Sequence, residues 1–273
     1  MKKSLNKEGR AAMIFYFSAT GNSQYVAERL AKVYNDETYY IAECLHRNNL
    51  LYKLPKGEPL GIVCPTYCLA LPSIVEEFLS KIRFETDSDS QPYVYFTATY
   101  GTTPGQTGYF ANELMSAQGL PIAAFFSVKM PDTWTPFFDL SNKQKVRAIS
   151  DKAEEQINFI VDKLKERCCG DFMRFKMPTF IAKLGKSLFY PHLRQTKHFH
   201  VENKCIGCGF CAKKCPIQAI KLKNKKPTWT VKECIMCLGC LHRCPRFAIQ
   251  YGHFTQNHGQ YYNNHVKMGR DNL

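Results

Sequence analysis

The chain has 273 residues, 45% of them hydrophobic and 13% aromatic, enough for one large domain or two modest ones with a real core. Its formal charge of +14 fits an acidic protein partner, nucleic acid or a membrane surface equally well. No stretch approaches the roughly 18 apolar residues of a membrane span, and the charged start MKKSLNKEGR leads into no long apolar run of the signal-peptide kind, so the expectation is a cytoplasmic protein without a transmembrane segment.

Residues 12–18, AMIFYFS, form a continuous apolar run that suits a strand buried on both faces of a parallel sheet. The run ends in Ser18, Ala19, Thr20, Gly21, Asn22 and Ser23, and Val26, Leu30 and Val33 then recur at helical spacing, which predicts a helix starting near Gly21. Further strands are expected at 38–42, 60–67, 93–101 and 122–130. Helices are expected over PSIVEEFLSKI, with Val75, Leu79 and Ile82 on one face, and over 142–165. This alternation predicts an α/β fold, a doubly wound, five-stranded parallel sheet covered on both faces.

Such sheets bind ligands beyond the carboxyl ends of their strands, where the strand order reverses. Three polar loops leave strand ends: SATGNS, PTYCLALP and TATYGTTPG. In the first, a loop turning into a helix N-terminus offers unpaired N–H groups and a positive dipole end. The Ser and Thr hydroxyls add donors, and Gly21 lets the backbone approach a ligand. That cradle suits a terminal phosphate dianion without any cationic side chain. Neither G-x-x-x-x-G-K-[ST] nor G-x-G-x-x-G occurs, which argues against a nucleoside triphosphate or a dinucleotide.

The first loop resembles the phosphate-binding loop of flavodoxins, which hold FMN, and the resemblance extends over about residues 12–168 in strand order and loop position. It implies that the second loop (Pro65, Thr66, Tyr67, Cys68) and the third (Thr99, Tyr100, Gly101) flank a flavin ring. Tyr67 and Tyr100 are the stacking candidates, and Gly101 is the peptide that reorients on flavin reduction.

Thirteen cysteines are many for an intracellular chain, and eight of them fall between residues 205 and 244. Clustering at fixed spacing points to metal ligation rather than to a disulfide scaffold. CIGCGFCAKKCP (205–216) and CIMCLGCLHRCP (234–245) each read C-x2-C-x2-C-x3-C-P. The blocks 205–220 and 234–249 agree at eight of sixteen positions, so the unit is duplicated. Structural zinc sites more often pair C-x2-C with a distant second pair. The runs match the bacterial two-cluster ferredoxin pattern. That resemblance implies two [4Fe–4S] clusters, one on Cys205, Cys208, Cys211 and Cys244, the other on Cys234, Cys237, Cys240 and Cys215.

The segments divide the chain into a flavodoxin-like FMN domain (1–168), a basic linker (169–200), a small α+β ferredoxin domain (201–251) and a polar tail (252–273). In the linker Phe180, Leu184 and Leu188 recur at i+4 among basic residues. Two readings stand: an amphipathic helix that docks a membrane or an acidic partner, and, favoured here, a linker helix packed on the domain interface with a solvated basic face. The tail is expected either to fray or to cover one cluster.

The whole chain resembles the flavodoxin–ferredoxin fusion family. That resemblance implies an electron-transfer protein that moves electrons between FMN and the clusters, serving an acidic redox partner such as a ferredoxin, or a partner reductase. Direct reduction of a small organic substrate at the flavin is the alternative. A redox-sensing nucleic-acid binder would need a helix-turn-helix, zinc-finger or RNA-recognition signature, and the sequence shows none, so no nucleic acid is expected. No catalytic residue is identified. Exposed low-potential clusters suggest an anaerobic setting.

Overall fold

A computed structural model describes residues 12–86 and 91–268; the charged start of the chain lies outside them. The chain runs through β1 (Met13–Tyr16), α1 (Asn22–Ala31), β2 (Glu37–Tyr40), α2 (Ile41–His46), β3 (Leu51–Leu54), β4 (Leu60–Pro65), α3 (Ser73–Lys81), β5 (Arg83–Thr86), β6 (Val94–Tyr100), α4 (Thr107–Ser116), β7 (Ala124–Lys129), α5 (Lys143–Lys165) and β8 (Gly170–Asp171). The main sheet is parallel throughout, in the order β2-β1-β4-β6-β7-β8. Without the side pair β3–β5, its five longer strands follow the 2-1-3-4-5 order of flavodoxin-like sheets. The sixth strand, β8, adds two residues at the edge, too few to leave a periodic trace in the sequence.

Alternation along the strands sets up two cores. Ile14, Val63, Tyr95 and Phe126 point to the face covered by α1 (Val26, Leu30) and α5 (Ile157, Ile160). Phe15, Ile62 and Phe96 point to the other face, covered by α3 (Val75, Phe78) and α4 (Phe110, Met115). Full burial of each such side chain contributes roughly 1.5–3 kcal/mol. The strand expected at 38–42 stops at Tyr40. Ile41, Ala42 and Cys44 are all buried, a set that one helical turn can bury and an alternating strand cannot.

The stretch expected as a linker forms α6 (Thr179–Leu184), a π-turn (Gly185–Phe189), α7 (Tyr190–Leu193) and β9 (Phe199–Val201). The helical segment does pack on its neighbours, as the favoured reading has it, but through Ala182, Gly185 and Tyr190, while the Phe180, Leu184 and Leu188 row faces solvent. The cysteine-rich part then follows: α8 (Phe210–Lys213), β10 (Ile220–Lys223), β11 (Lys226–Trp229), α9 (Gly239–His242), β12 (Ile249–Tyr251) and α10 (Thr255–His258). Its two small sheets, β10–β11 and β9–β12, are antiparallel.

Gly61, in the central strand β4, lies under the Tyr95 ring; a methyl group there would sit 2.5 Å from the ring carbon Cζ. Gly61→Ala is expected to destabilise the protein by roughly 1–3 kcal/mol through overpacking, measured as a lowered melting temperature.

Candidate functional site

The loop between β1 and α1 turns on Gly21, whose φ of 91° lies in the left-handed region. Its N–H donates to Ser18 Oγ at 3.1 Å, and its carbonyl accepts the first helical bond, from Tyr25 N at 2.9 Å. The N–H groups of Asn22, Ser23 and Gln24 precede that first bond and form the open end of the helix. Ser23 Oγ shares a 2.7 Å hydrogen bond with Thr99 Oγ1, which ties the first loop to the third.

The second loop closes on itself: Tyr67 and Ala70 exchange two backbone bonds of 2.9 Å. Between them Cys68 (φ 46°) and Leu69 (φ 66°) both occupy the left-handed region, the turn type that normally takes Asn-Gly. Two such non-glycine residues cost about 1–3 kcal/mol each. Gln106 N–H on the Leu69 carbonyl (2.8 Å) and the Cys68 thiol on the Gly185 carbonyl (3.3 Å) hold the turn. That thiol bond, with burial raising the Cys68 thiol, fits a positioning group rather than a reactive one.

A cavity of about 280 Å³ opens where these loops meet. It is lined by Ser18, Ala19, Thr20, Asn22, Ser23, Pro65, Thr66, Tyr67, Cys68, Thr99, Tyr100 and Gly101, twelve of the thirteen residues expected to hold the cofactor. Gly21 is the exception. Its missing side chain makes room instead for the chain's own tail: a methyl group at Gly21 would lie 2.6 Å from Val266 Cγ2 and 3.0 Å from Asn263 Cβ. Over the described residues the tail is therefore packed on the first loop rather than frayed. Asn263 N–H donates to the Thr20 carbonyl (2.8 Å), and Asn22 Oδ1 accepts from Tyr261 O–H (2.6 Å) and Asn263 Nδ2 (3.2 Å). The Asn22 side chain is thus engaged by the tail, and its backbone N–H remains for a ligand. Gln260 Nε2 reaches the carbonyls of Leu241 (2.6 Å) and Cys244 (2.9 Å), so one segment clamps the cysteine-rich part to the first loop.

Two other walls of the cavity carry no signal in the sequence pattern. One comes from the loop after β7: Asp132, Trp134 and Phe138. The other comes from the second cysteine run: Met236, Cys237 and Leu238. A methyl group at Gly239 would lie 3.5 Å from the Ala19 carbonyl oxygen, so the two backbones pass at contact distance. His242, buried and held neutral with its pKa lowered to about 4 by desolvation, donates from Nε2 to the Thr133 carbonyl (2.7 Å) and accepts the Tyr261 N–H at Nδ1 (3.2 Å).

The eight cysteines fall into two groups by their electrostatic neighbours. Cys211 faces Cys244, Cys208 and Cys205; Cys240 faces Cys237, Cys234 and Cys215, and more weakly Cys211. The first four line one small cavity with Leu222 and Pro227. Among the described residues no three His, Cys, Asp or Glu groups converge at single-ion distance. The duplication also shows in the hydrogen bonds: Ala219 N–H donates to Cys215 Sγ and Ala248 N–H to Cys244 Sγ, both at 3.3 Å. Such bonds are the kind that stabilise thiolate ligands.

Asp132 packs against Gly101, with Oδ1 accepting from Trp134 N–H (3.1 Å) and Oδ2 from Thr102 Oγ1 (3.3 Å). Burial nonetheless raises its pKa above the ordinary carboxylate value. The folded chain therefore holds this proton more tightly than the unfolded chain, and stability falls as pH rises from the ordinary carboxylate value through the raised one. Asp132→Asn is expected to gain thermal stability relative to the parent at neutral pH, with the gain shrinking toward pH 4; melting curves across that range check it.

Three comparisons bear on this geometry. A family model for the flavodoxin domain matches residues 13–158, more than half of the chain, and one for a 4Fe-4S dicluster domain matches residues 204–249. No curated protein matches. Solved structures with local similarity include rubredoxin:oxygen oxidoreductase from Desulfovibrio gigas (16% identity, 59% of this chain, 37% of that one, TM-score 0.35). This chain thus spans little more than a third of that relative's length. Putative flavoproteins from Bacteroides uniformis (16% identity, 46% and 94% coverage, TM-score 0.32) and Bacteroides eggerthii (17%, 54% and 99%, TM-score 0.29) are also similar. The family matches support an FMN-type flavoprotein with iron–sulfur ligation and electron transport as its role. The chain belongs to the flavodoxin family, in the fused form in which a 4Fe-4S dicluster domain follows the flavodoxin domain.

Proposed function

We propose that this chain is an electron-transfer protein that holds FMN and two [4Fe–4S] clusters and serves a separate reductase or acidic redox partner, in the cytoplasm of a cell living with little oxygen. One observation carries the reading: Met236, Cys237 and Leu238 of the second cysteine run share a cavity with all three strand-end loops. Once bound, the flavin exchanges one or two electrons and each cluster one, so their combination converts between the two modes.

The chain's own residues supply the rest. The α1 N-terminus, with the Ser18, Thr20 and Ser23 hydroxyls, would hold the FMN phosphate, and Tyr67, Tyr100 and Trp134 would bound the ring. Cys234, Cys237, Cys240 and Cys215 would hold the inner cluster and exclude water from its flavin-facing side. Cys205, Cys208, Cys211 and Cys244 would hold the outer one, where Cys208 and Ile206 are exposed. The segment 203–232, which carries Cys205, Cys208 and Cys211, holds eight exposed lysines, at 204, 213, 214, 221, 223, 225, 226 and 232, and no Asp or Glu. This lysine-rich segment suits an acidic partner arriving at the outer cluster. Asp132 favours a second reading, direct reduction of a small organic substrate, because it places a half-buried carboxyl in the same cavity.

Anaerobically purified protein is expected to contain about eight iron atoms and one FMN per chain, and Cys234→Ala about four iron atoms; iron, sulfide and flavin quantitation checks both. Steady turnover of a small acceptor without a second protein would favour the direct reductase, whereas rapid reduction by an acidic ferredoxin without such turnover favours the carrier. Asn263→Ala combined with Tyr261→Phe is expected to weaken FMN binding about tenfold by releasing the first loop, read by flavin fluorescence during apoprotein titration.

A further inference from the structure

Of the large apolar side chains left exposed, five belong to one fifteen-residue stretch: Phe175 (79%), Phe180 (72%), Leu184 (49%), Leu188 (55%) and Phe189 (60%). Phe180, Leu184 and Leu188 form a row along α6 and the π-turn, and the opposite side of the segment is already committed. Ala182 is buried, Gly185 lies against Cys68 and Leu69, and Tyr190 O–H donates to the Ile235 carbonyl (3.1 Å). The row is therefore not an interface that rolls inward on folding.

Phe175 adds an independent sign. Its φ of 58° is an outlier for a bulky residue, and Thr103 Oγ1 donates to its carbonyl at 2.7 Å and helps to fix it there. The chain thus accepts backbone strain at a residue whose phenyl ring stands in water.

The charge carried by the segment itself has one sign. Residues 172–201 contain six cations (Arg174, Lys176, Lys183, Lys186, Arg194 and Lys197) and no Asp or Glu. Lys176 pairs with Asp171, just before the stretch, and Lys186, within the row, pairs with Glu76 of α3. Lys183 lies over the Tyr109 ring (5.4 Å) and Lys186 over the Phe110 ring (4.6 Å), so the ammonium groups flank the row from the α4 side.

We propose that the ridge from Phe175 to Phe189 docks the protein peripherally on an anionic phospholipid bilayer, with the Phe and Leu side chains entering the headgroup–acyl boundary and the flanking cations meeting lipid phosphates. Aromatic and leucine side chains on one side with lysines beside them are the composition of an interfacial segment. The row is a convex ridge. A protein partner would need a groove cut to it, whereas acyl chains adapt to any shape. Among the described residues no helix is long and apolar enough to cross a membrane, so the attachment is to one surface. It is separate from the electron-transfer reading and stands on different residues.

Flotation of the full chain with vesicles tests it. Binding is expected to phosphatidylglycerol–phosphatidylcholine vesicles and to be at least about tenfold weaker to phosphatidylcholine alone. Phe180→Ser, Leu184→Ser and Leu188→Ser together are expected to lower binding to the anionic vesicles by at least about tenfold, with the melting temperature and flavin and iron contents unchanged. No binding to anionic vesicles, or binding undiminished in the triple variant, overturns the proposal. So does a sizing profile in which the parent is a dimer and the triple variant a monomer, because a second copy would then cover the ridge.

Discussion

The contact on which the arrangement depends is the passage of Gly239 across Ala19, where the second cysteine run lies against the carboxyl end of the parallel sheet. A Cβ at residue 239 would meet the Ala19 carbonyl oxygen at 3.5 Å and the Cys237 sulfur at 3.6 Å, ordinary contact distances, so the space between the two backbones is filled by a side chain no larger than a methyl group. Residues from both sides lock the contact. Arg194 Nε donates to the Cys234 carbonyl (2.7 Å), Tyr190 O–H to the Ile235 carbonyl, and His242 Nε2 to the Thr133 carbonyl. Each such bond contributes on the order of 1 kcal/mol net. Their joint effect is to fix an orientation, because they tie the cysteine-rich part to two separate places, α7 with its C-cap Arg194 and the loop after β7.

The tail belongs to the same constraint. Gln260 grips the carbonyl of Cys244, and three residues later Asn263 grips the carbonyl of Thr20. One short segment thus spans from the outer cysteine group to the phosphate-type loop. Tyr25 stacks on His265 at 4.7 Å beyond it, which extends the clamp along α1. Any shift of the Cys244 turn is transmitted to the first loop through a few hydrogen bonds, and the loop's Gly21 has no side chain to resist.

What was legible in the sequence follows from how locally each feature is encoded. The strands could be read because a buried parallel strand is a run of apolar residues, and the cysteine groups because their spacing is short and repeated. The twelve predicted cofactor-side residues that line the cavity lie at or just beyond the ends of predicted strands, with Asn22 and Ser23 opening the next helix. Asp132 and Trp134 were missed because they sit in an irregular loop with no period. Asn263 was missed because a polar tail carries no pattern and its partner is 241 residues away. The apolar row at 180–188 was seen, but periodicity says only that a face is apolar, not whether anything covers it. Here Gly185 and Ala182, small enough for close approach to the Cys68 turn, took the packed side.

The duplication makes the two cysteine groups alike in ligand chemistry, so any difference between them must come from their surroundings. Cys234, Met236 and Leu238 are buried beside the cavity, whereas Cys208 and Ile206 stand in water on a lysine-rich segment. Ala219 and Ala248 play equivalent hydrogen-bonding parts, while the Met236 N–H adds a bond to Cys234 Sγ (3.3 Å) in the buried group, so hydrogen bonding, solvent exposure and local charge together separate the two environments. Under the proposed reading that asymmetry gives the relay an outside and an inside. An acidic partner is drawn to the exposed group and kept from the flavin-type cavity by the cysteine-rich part that roofs it. The same roof leaves the apolar ridge at 175–189 on a surface of its own, so attachment through the ridge and electron delivery through the lysine-rich segment need not compete.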